Sequence, residues 1–128
     1  MIIDSSAVVA VMLREPGFDA IIAKLLAADL KGIGAPTLAE TGIVLTAKLR
    51  RDPRGLLKRF LEEVEIETLP FTDHHWAISL EAYERFGKGR HRAGLNFGDC
   101  LTYATARLAR QPLLCVGKDF ERTDLPLA

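Results

Sequence analysis

Apolar residues fall into two patterns along this chain. Short apolar runs alternate with longer stretches in which apolar positions return every three or four residues. The runs read as buried strands, and the stretches as helices buried along one face. Ile2-Ile3 opens the chain as a strand that ends at Asp4. Ser5-Ser6 then start a helix through Ala7–Leu13, closed by Arg14-Glu15-Pro16-Gly17, and a second helix covers Phe18–Ala28. Lys31–Ala35 is a short strand, and Pro36-Thr37 opens a helix to about Leu49. Asp52-Pro53 pairs an N-capping acid with proline at the first helical position; the helix it starts carries Leu56, Leu57, Phe60 and Leu61 on one face. Val64–Leu69 alternates and reads as a strand. Thr72 caps a helix from Asp73 to about Phe86, Gly87–Gly94 is a basic loop, and Asn96 caps a helix over Phe97–Ala109. Pro112–Val116 is the last strand, followed by Gly117. Strands alternating with helices predict an α/β fold, a central parallel sheet flanked by helices, in one domain spanning residues 1–128.

Composition narrows this picture only a little. The 128 residues are 48% hydrophobic, enough for a core without disulfide or metal support. Seventeen basic residues balance seventeen acidic ones, so any attraction to nucleic acid must come from local clusters rather than net charge. Cys100 and Cys115 lie in apolar stretches at neither CxxC nor zinc spacing, and read as two buried thiols of a reducing compartment. The chain shows no signal-peptide pattern and no apolar run near the ~20 residues of a membrane span, so a cytoplasmic location is expected.

The chemistry lies in the carboxylates. Parallel α/β sheets build their sites beyond the carboxyl ends of the strands. Asp4 and Asp119 follow strands at that edge, and Glu40 and Asp99 lie about one turn inside helices that begin there. Converging carboxylates repel one another, and a divalent cation relieves the repulsion; an all-oxygen ligand set suits Mg²⁺ or Mn²⁺, which can polarise a phosphodiester and activate water. Capping accounts for the same residues. Thr37-x-x-Glu40 fits a capping box, Asn96-x-x-Asp99 is its shorter-armed analogue, and Asp4 fits an N-cap. Spacing alone leaves both readings open.

Three segments together resemble a known family: Met1-Ile2-Ile3-Asp4-Ser5-Ser6-Ala7, Ala35-Pro36-Thr37-Leu38-Ala39-Glu40-Thr41 and Leu95-Asn96-Phe97-Gly98-Asp99-Cys100. In this order and spacing they look like PIN domains, in particular the VapC toxins of bacterial VapBC toxin–antitoxin pairs, from Met1 to about Leu125. The resemblance implies a PIN-like fold and an Mg²⁺- or Mn²⁺-dependent endoribonuclease in which metal-activated water attacks an RNA phosphodiester, leaving 5′-phosphate and 3′-hydroxyl ends. It makes Asp4, Glu40 and Asp99 the metal-holding catalytic acids, and Ser6 the hydroxyl that supports the first of them. Many relatives carry an acid where this chain has Gly117, so Asp119 is taken as the fourth acid, with Asp124 as a weaker alternative. The implied partners are an RNA substrate, a VapB-type antitoxin and a second copy of the chain in a homodimer.

Two basic groups remain. Lys88, Arg90 and Arg92, with Arg85 and His91 beside them, crowd the loop before Asp99 and are expected to hold the RNA backbone as a flexible arm. Lys48, Arg50, Arg51, Arg54, Lys58 and Arg59 span a helix end and the next helix, where they suit RNA or the acids of an antitoxin. Adjacent His74 and His75 diverge by about 100° on a helix and form no paired metal site. Other classes fit less well. A haloacid-dehalogenase-type phosphatase needs Asp-x-Asp where Asp4-Ser5-Ser6 stands, a receiver domain needs a phospho-accepting acid after a central strand, and a non-catalytic binding module has no reason to keep mutually repelling acids.

Overall fold

A computed structural model describes all residues, 1–128, and shows four strands and six α-helices in near alternation. Strand β1 (Ile2–Ile3) leads into α1 (Ser5–Met12) and α2 (Phe18–Ala27); β2 (Gly32–Gly34) runs directly into α3 (Ala35–Leu49), then α4 (Arg54–Val64). Strand β3 (Glu67–Leu69) precedes α5 (Asp73–Phe86) and α6 (Phe97–Ala109); β4 (Leu113–Leu114) and a 3₁₀ turn at Phe120–Arg122 complete the chain.

The strands are parallel, in the order β3-β2-β1-β4, so β1 sits inside the sheet. Ile2 pairs with both Gly32 and Leu113, and Ile3 with Leu114. Because neighbours on a strand face opposite ways, this register splits the core into two layers. Ile3 and Leu114 point into a cluster with Val8, Ile21, Leu25, Leu45, Leu57 and Phe60 from α1–α4. Ile2 and Leu113 point the other way, to Ala82, Phe86, Cys100, Tyr103 and Ala106 of α5 and α6. Each fully buried Ile or Leu is worth roughly 1.5–3 kcal/mol, so the short strands are held mainly by these layers. Parallel running brings the ends of β1, β2 and β4 to one edge, where Asp4, the start of α3 and the segment leading to Asp119 meet. No helix is long and apolar enough to cross a membrane.

The structure shifts several sequence-based boundaries. Val64 closes α4 rather than opening a strand, because Glu65 turns to positive φ (59°) and donates its backbone N–H to Leu61 and Glu62, leaving only Glu67–Leu69 extended. Pro53 is the N-cap of α4, not its first residue, and Asp52 binds Arg54 through its side chain at 2.8–3.0 Å. Helix α3 begins at Ala35 with Gly34 as its cap, so Pro36 and Thr37 lie inside it.

Candidate active site

Asp4 is built in where β1 ends. It caps α1, and three donors converge on it although it is only 5% exposed. Its Oδ2 accepts the Ser6 backbone N–H at 3.0 Å and the Ser6 hydroxyl at 2.6 Å, while its Oδ1 accepts the Thr102 hydroxyl at 2.9 Å. Three donors and no outgoing proton mark Asp4 as a carboxylate. Ser6 also ties in the segment that follows β4, since its Oγ accepts the Val116 N–H at 2.9 Å.

Glu40 approaches from α3. The capping-box alternative does not hold for it: the helix starts too early, and Thr37 is spent on Thr102 instead. Glu40 Oε1 accepts the Ser5 hydroxyl at 2.7 Å, and its carboxyl lies against the backbone of Gly98 on α6, where any side chain would collide with Oε2.

For Asp99 the capping box is real. Asp99 Oδ2 accepts the Asn96 N–H at 3.0 Å, and Asn96 Oδ1 accepts the Asp99 N–H at 2.9 Å. This uses one carboxyl oxygen and leaves Oδ1 without a partner, so capping and ligation do not compete. Burial raises the Asp99 pKa to about 6 against a lowering hydrogen bond from Asn96, and the charges of Asp4, Asp119 and Glu40 add to the rise. Four acids from distant parts of the chain therefore share one field. Asp119 is the exposed member, just ahead of the 3₁₀ turn.

The donor chemistry fits a hard divalent cation. Glu40 Oε2, Asp99 Oδ1 and the second lone pair of Asp4 Oδ1 are all unspent oxygens, and no histidine or thiolate competes with them. As the side chains stand, no three His, Cys, Asp or Glu residues close to coordinating distance.

A PIN domain family model matches residues 1–125. Ribonuclease VapC36 of Mycobacterium tuberculosis is 49% identical over 126 residues, covering 98% of this chain and 91% of that protein. The chain belongs to the PIN domain family, in its VapC branch. Ribonuclease VapC28 of the same species is 40% identical over 131 residues, covering 100% of this chain and 97% of its own. In fold, a toxin–antitoxin complex from Klebsiella pneumoniae matches with a TM-score of 0.72 at 16% identity, over 99% of this chain and 95% of that one.

Other expected residues of this PIN domain fall on both sides of the site. Asp124 lies outside it: its carboxylate accepts the Tyr103 hydroxyl at 2.7 Å and pairs with Arg85 and Arg107 at 3.2 and 3.4 Å. Gly117 has φ of +98°, a conformation that a side chain at that position would strain. The basic loop is shaped rather than loose. Lys88 N–H donates to the Leu95 carbonyl, His91 N–H to that of Gly87 and Gly94 N–H to that of His91, all within 3.0 Å. Lys88, Arg90 and Arg92 stay exposed; the Arg90 guanidinium stands 5.5 Å over the Tyr83 ring, and Arg122 donates to the Arg92 carbonyl at 2.9 Å. Arg50, Arg51, Arg54 and Lys58 instead rim an open groove of about 1130 Å³ between α3 and α4, floored by Leu38, Ile43 and Leu57. His75 closes the capping box of α5 with Thr72 through Nδ1.

Several contributors escape the sequence reading. Ser5, Thr37, Thr102 and Gly98 all touch the acids or their partners. Thr102 carried one usable signal, since it sits three residues after Asp99 on the same helix face. Cys115, expected to be buried, is only half-buried and borders the site. Burial pushes its thiol up to about 11, and the charges of Asp4, Glu121 and Asp99 push the same way.

Proposed function

We propose that this PIN domain is an Mg²⁺- or Mn²⁺-dependent endoribonuclease that acts as the toxin of a toxin–antitoxin pair. The observation that carries the reading is the gathering of Asp4, Glu40 and Asp99, with Asp119 at the rim, around one edge of the sheet. The 49% identity to a VapC ribonuclease gives the same direction for the substrate. Asp4, Glu40 and Asp99 would hold the ion, with Asp119 as the outer acid. A bound Mg²⁺ or Mn²⁺ supplies positive charge to a phosphodiester oxygen and acidifies water.

The rest of the chain prepares and positions. Ser6 and Thr102 fix the Asp4 carboxylate, Ser5 fixes that of Glu40, and Asn96 fixes that of Asp99. Lys88, Arg90 and Arg92, on a loop already stitched into shape, bind the phosphates flanking the reacting one. Phe97, Ile43, Trp76 and Leu80 are exposed at 81%, 72%, 59% and 52% and form an apolar face across α3, α5 and α6, suited to a second copy of the chain. A VapB-type antitoxin, the partner that the relatives' family implies, neutralises the site.

The test is cleavage of a panel of RNAs by purified protein with Mn²⁺, Mg²⁺ or EDTA, with the product ends mapped. Metal-dependent cuts that vanish in Asp4→Asn and Asp99→Asn are expected. Cleavage that persists in EDTA or in both variants sinks the reading. Light scattering checks the dimer, which Phe97→Ser should convert to monomer.

A further inference from the structure

A chain of buried hydroxyls runs behind the acids. Thr37 on α3 is 3% exposed and Thr102 on α6 is 0% exposed, and their Oγ1 atoms lie 3.1 Å apart. Thr102 Oγ1 is also 2.9 Å from Asp4 Oδ1. A threonine hydroxyl has one proton to give and two lone pairs to receive with. Asp4 is a carboxylate and can only accept, so the Thr102 proton goes to Asp4. The proton between the two threonines must then come from Thr37. The direction is fixed: Thr37 donates to Thr102, and Thr102 donates to Asp4.

The location matters as much as the direction. Thr37 sits one turn before Glu40 on α3, and Thr102 one turn after Asp99 on α6. The chain of hydroxyls therefore joins the three segments that carry the three acids. It also decides what Asp4 has left to offer. Oδ2 already accepts two donors from Ser6, so the remaining lone pair of Oδ1 is the one free for a cation, and Thr102 sets where it points.

We propose that Thr37 and Thr102 form a directed hydroxyl relay that orients the Asp4 carboxylate for a divalent cation and ties α3 and α6 to the end of β1 behind the acids. Both are positioning residues, and the inference rests on the reading of Asp4 as an ion-holding acid. Partners that orient a metal-binding side chain typically contribute about 10–100-fold to affinity. Polar bonds made out of water are also strengthened by their surroundings.

Mn²⁺ binding to the full chain, read by electron paramagnetic resonance, tests this without RNA. Thr102→Val should weaken Mn²⁺ affinity about tenfold or more, whereas Thr102→Ser, which keeps the hydroxyl and loses only a methyl, should stay near wild type. Thr37→Val leaves the Thr102 bond to Asp4 in place and should weaken affinity less. The double variant should bind no worse than Thr102→Val alone, because the two act in series. In cleavage assays, excess Mn²⁺ should restore the rate of Thr102→Val. Equal Mn²⁺ affinity of Thr102→Val and Thr102→Ser overturns the relay. If Thr102→Val fails to fold, an unchanged affinity in Thr37→Val does the same. If the wild-type chain binds no Mn²⁺, the ion-site reading fails by itself. The relay is then judged in metal-free protein by the urea midpoints of a Thr102→Val, Asp4→Ala cycle, where coupling supports it and strict additivity overturns it.

Discussion

Gly98→Ala separates the stability of α6 from the geometry of the acids. Gly98 is the second residue of that helix, and nothing about its φ requires glycine. By helix propensity alone, alanine there gains up to about 1 kcal/mol. The cost falls on Glu40. A β-carbon at position 98 would overlap Glu40 Oε2 and stand 2.9 Å from Cδ and 3.2 Å from Oε1. The obstacle is the end of a flexible side chain, so Glu40 withdraws by about 1 Å and the fold survives. That withdrawal also breaks the 2.7 Å bond from Ser5. A displacement of about 1 Å at a reacting centre can cost on the order of 100-fold in rate. Gly98→Ala should therefore unfold at the same or a higher urea concentration than wild type, yet cleave RNA about 100-fold more slowly and bind Mn²⁺ more weakly. Paired urea titrations and single-turnover cleavage measure both halves. Full activity would show that Glu40 is not held by its contact with Gly98, and a large loss of stability would show that the helix, not the carboxylate, takes the strain.

The raised pKa of Asp99 makes a pH prediction. Between pH 3.8 and about 6 the folded chain keeps a proton that the unfolded chain has released, so this group's contribution to stability falls as pH rises through that window and levels off above it. In EDTA, Asp99→Asn should be more stable than wild type at pH 7.5, with the difference shrinking towards pH 4; Mn²⁺ should raise the wild-type melting temperature at pH 7.5 and lose that effect below about 6. Asp124→Ala removes the acceptor of the buried Tyr103 hydroxyl, frees Arg107 and leaves Arg85 with Glu81 alone as its acidic partner, which should cost about 1–2 kcal/mol in urea unfolding while leaving the rate constant of RNA cleavage unchanged. Replacing Lys88, Arg90 and Arg92 together by alanine should weaken RNA binding and flatten its dependence on salt, measured by fluorescence anisotropy at several KCl concentrations, without altering Mn²⁺ affinity.

The fold was legible because its signals are local. Ile2-Ile3 and Leu113-Leu114 are apolar on both faces, as parallel strands covered by helices on both sides are, and Asn96 caps α6 where its side chain predicts. The errors have equally local causes. The alternation at Val64–Leu69 cannot reveal that Glu65 turns left-handed, and Thr37 looks like a cap until Gly34 starts the helix ahead of it. For the site, the candidate acids themselves were visible, but their competing capping roles needed coordinates: capping proved false for Glu40, true alongside a free oxygen for Asp99, and true alongside one remaining lone pair for Asp4. Thr37, Thr102 and Gly98 were illegible for a different reason. Their roles depend on which helix crosses which, and Thr37 of α3 meets Thr102 of α6 across a sequence separation of 65.

The strand order also has a consequence in time. During synthesis β1 leaves the ribosome before the other three strands, but in the finished sheet it lies between β2 and β4, with the Asp4 N–H bonded to the Leu114 carbonyl at 2.9 Å. Until α6 and β4 have emerged, Asp4 lacks the hydroxyl of Thr102, Glu40 has no Gly98 to rest against, and Asp99 is absent. A half-made chain thus presents two loosely held acids and no completed site. On the proposed reading, a nuclease with this topology stays harmless to its own messenger and to the ribosome translating it until the last strand slots in beside the first.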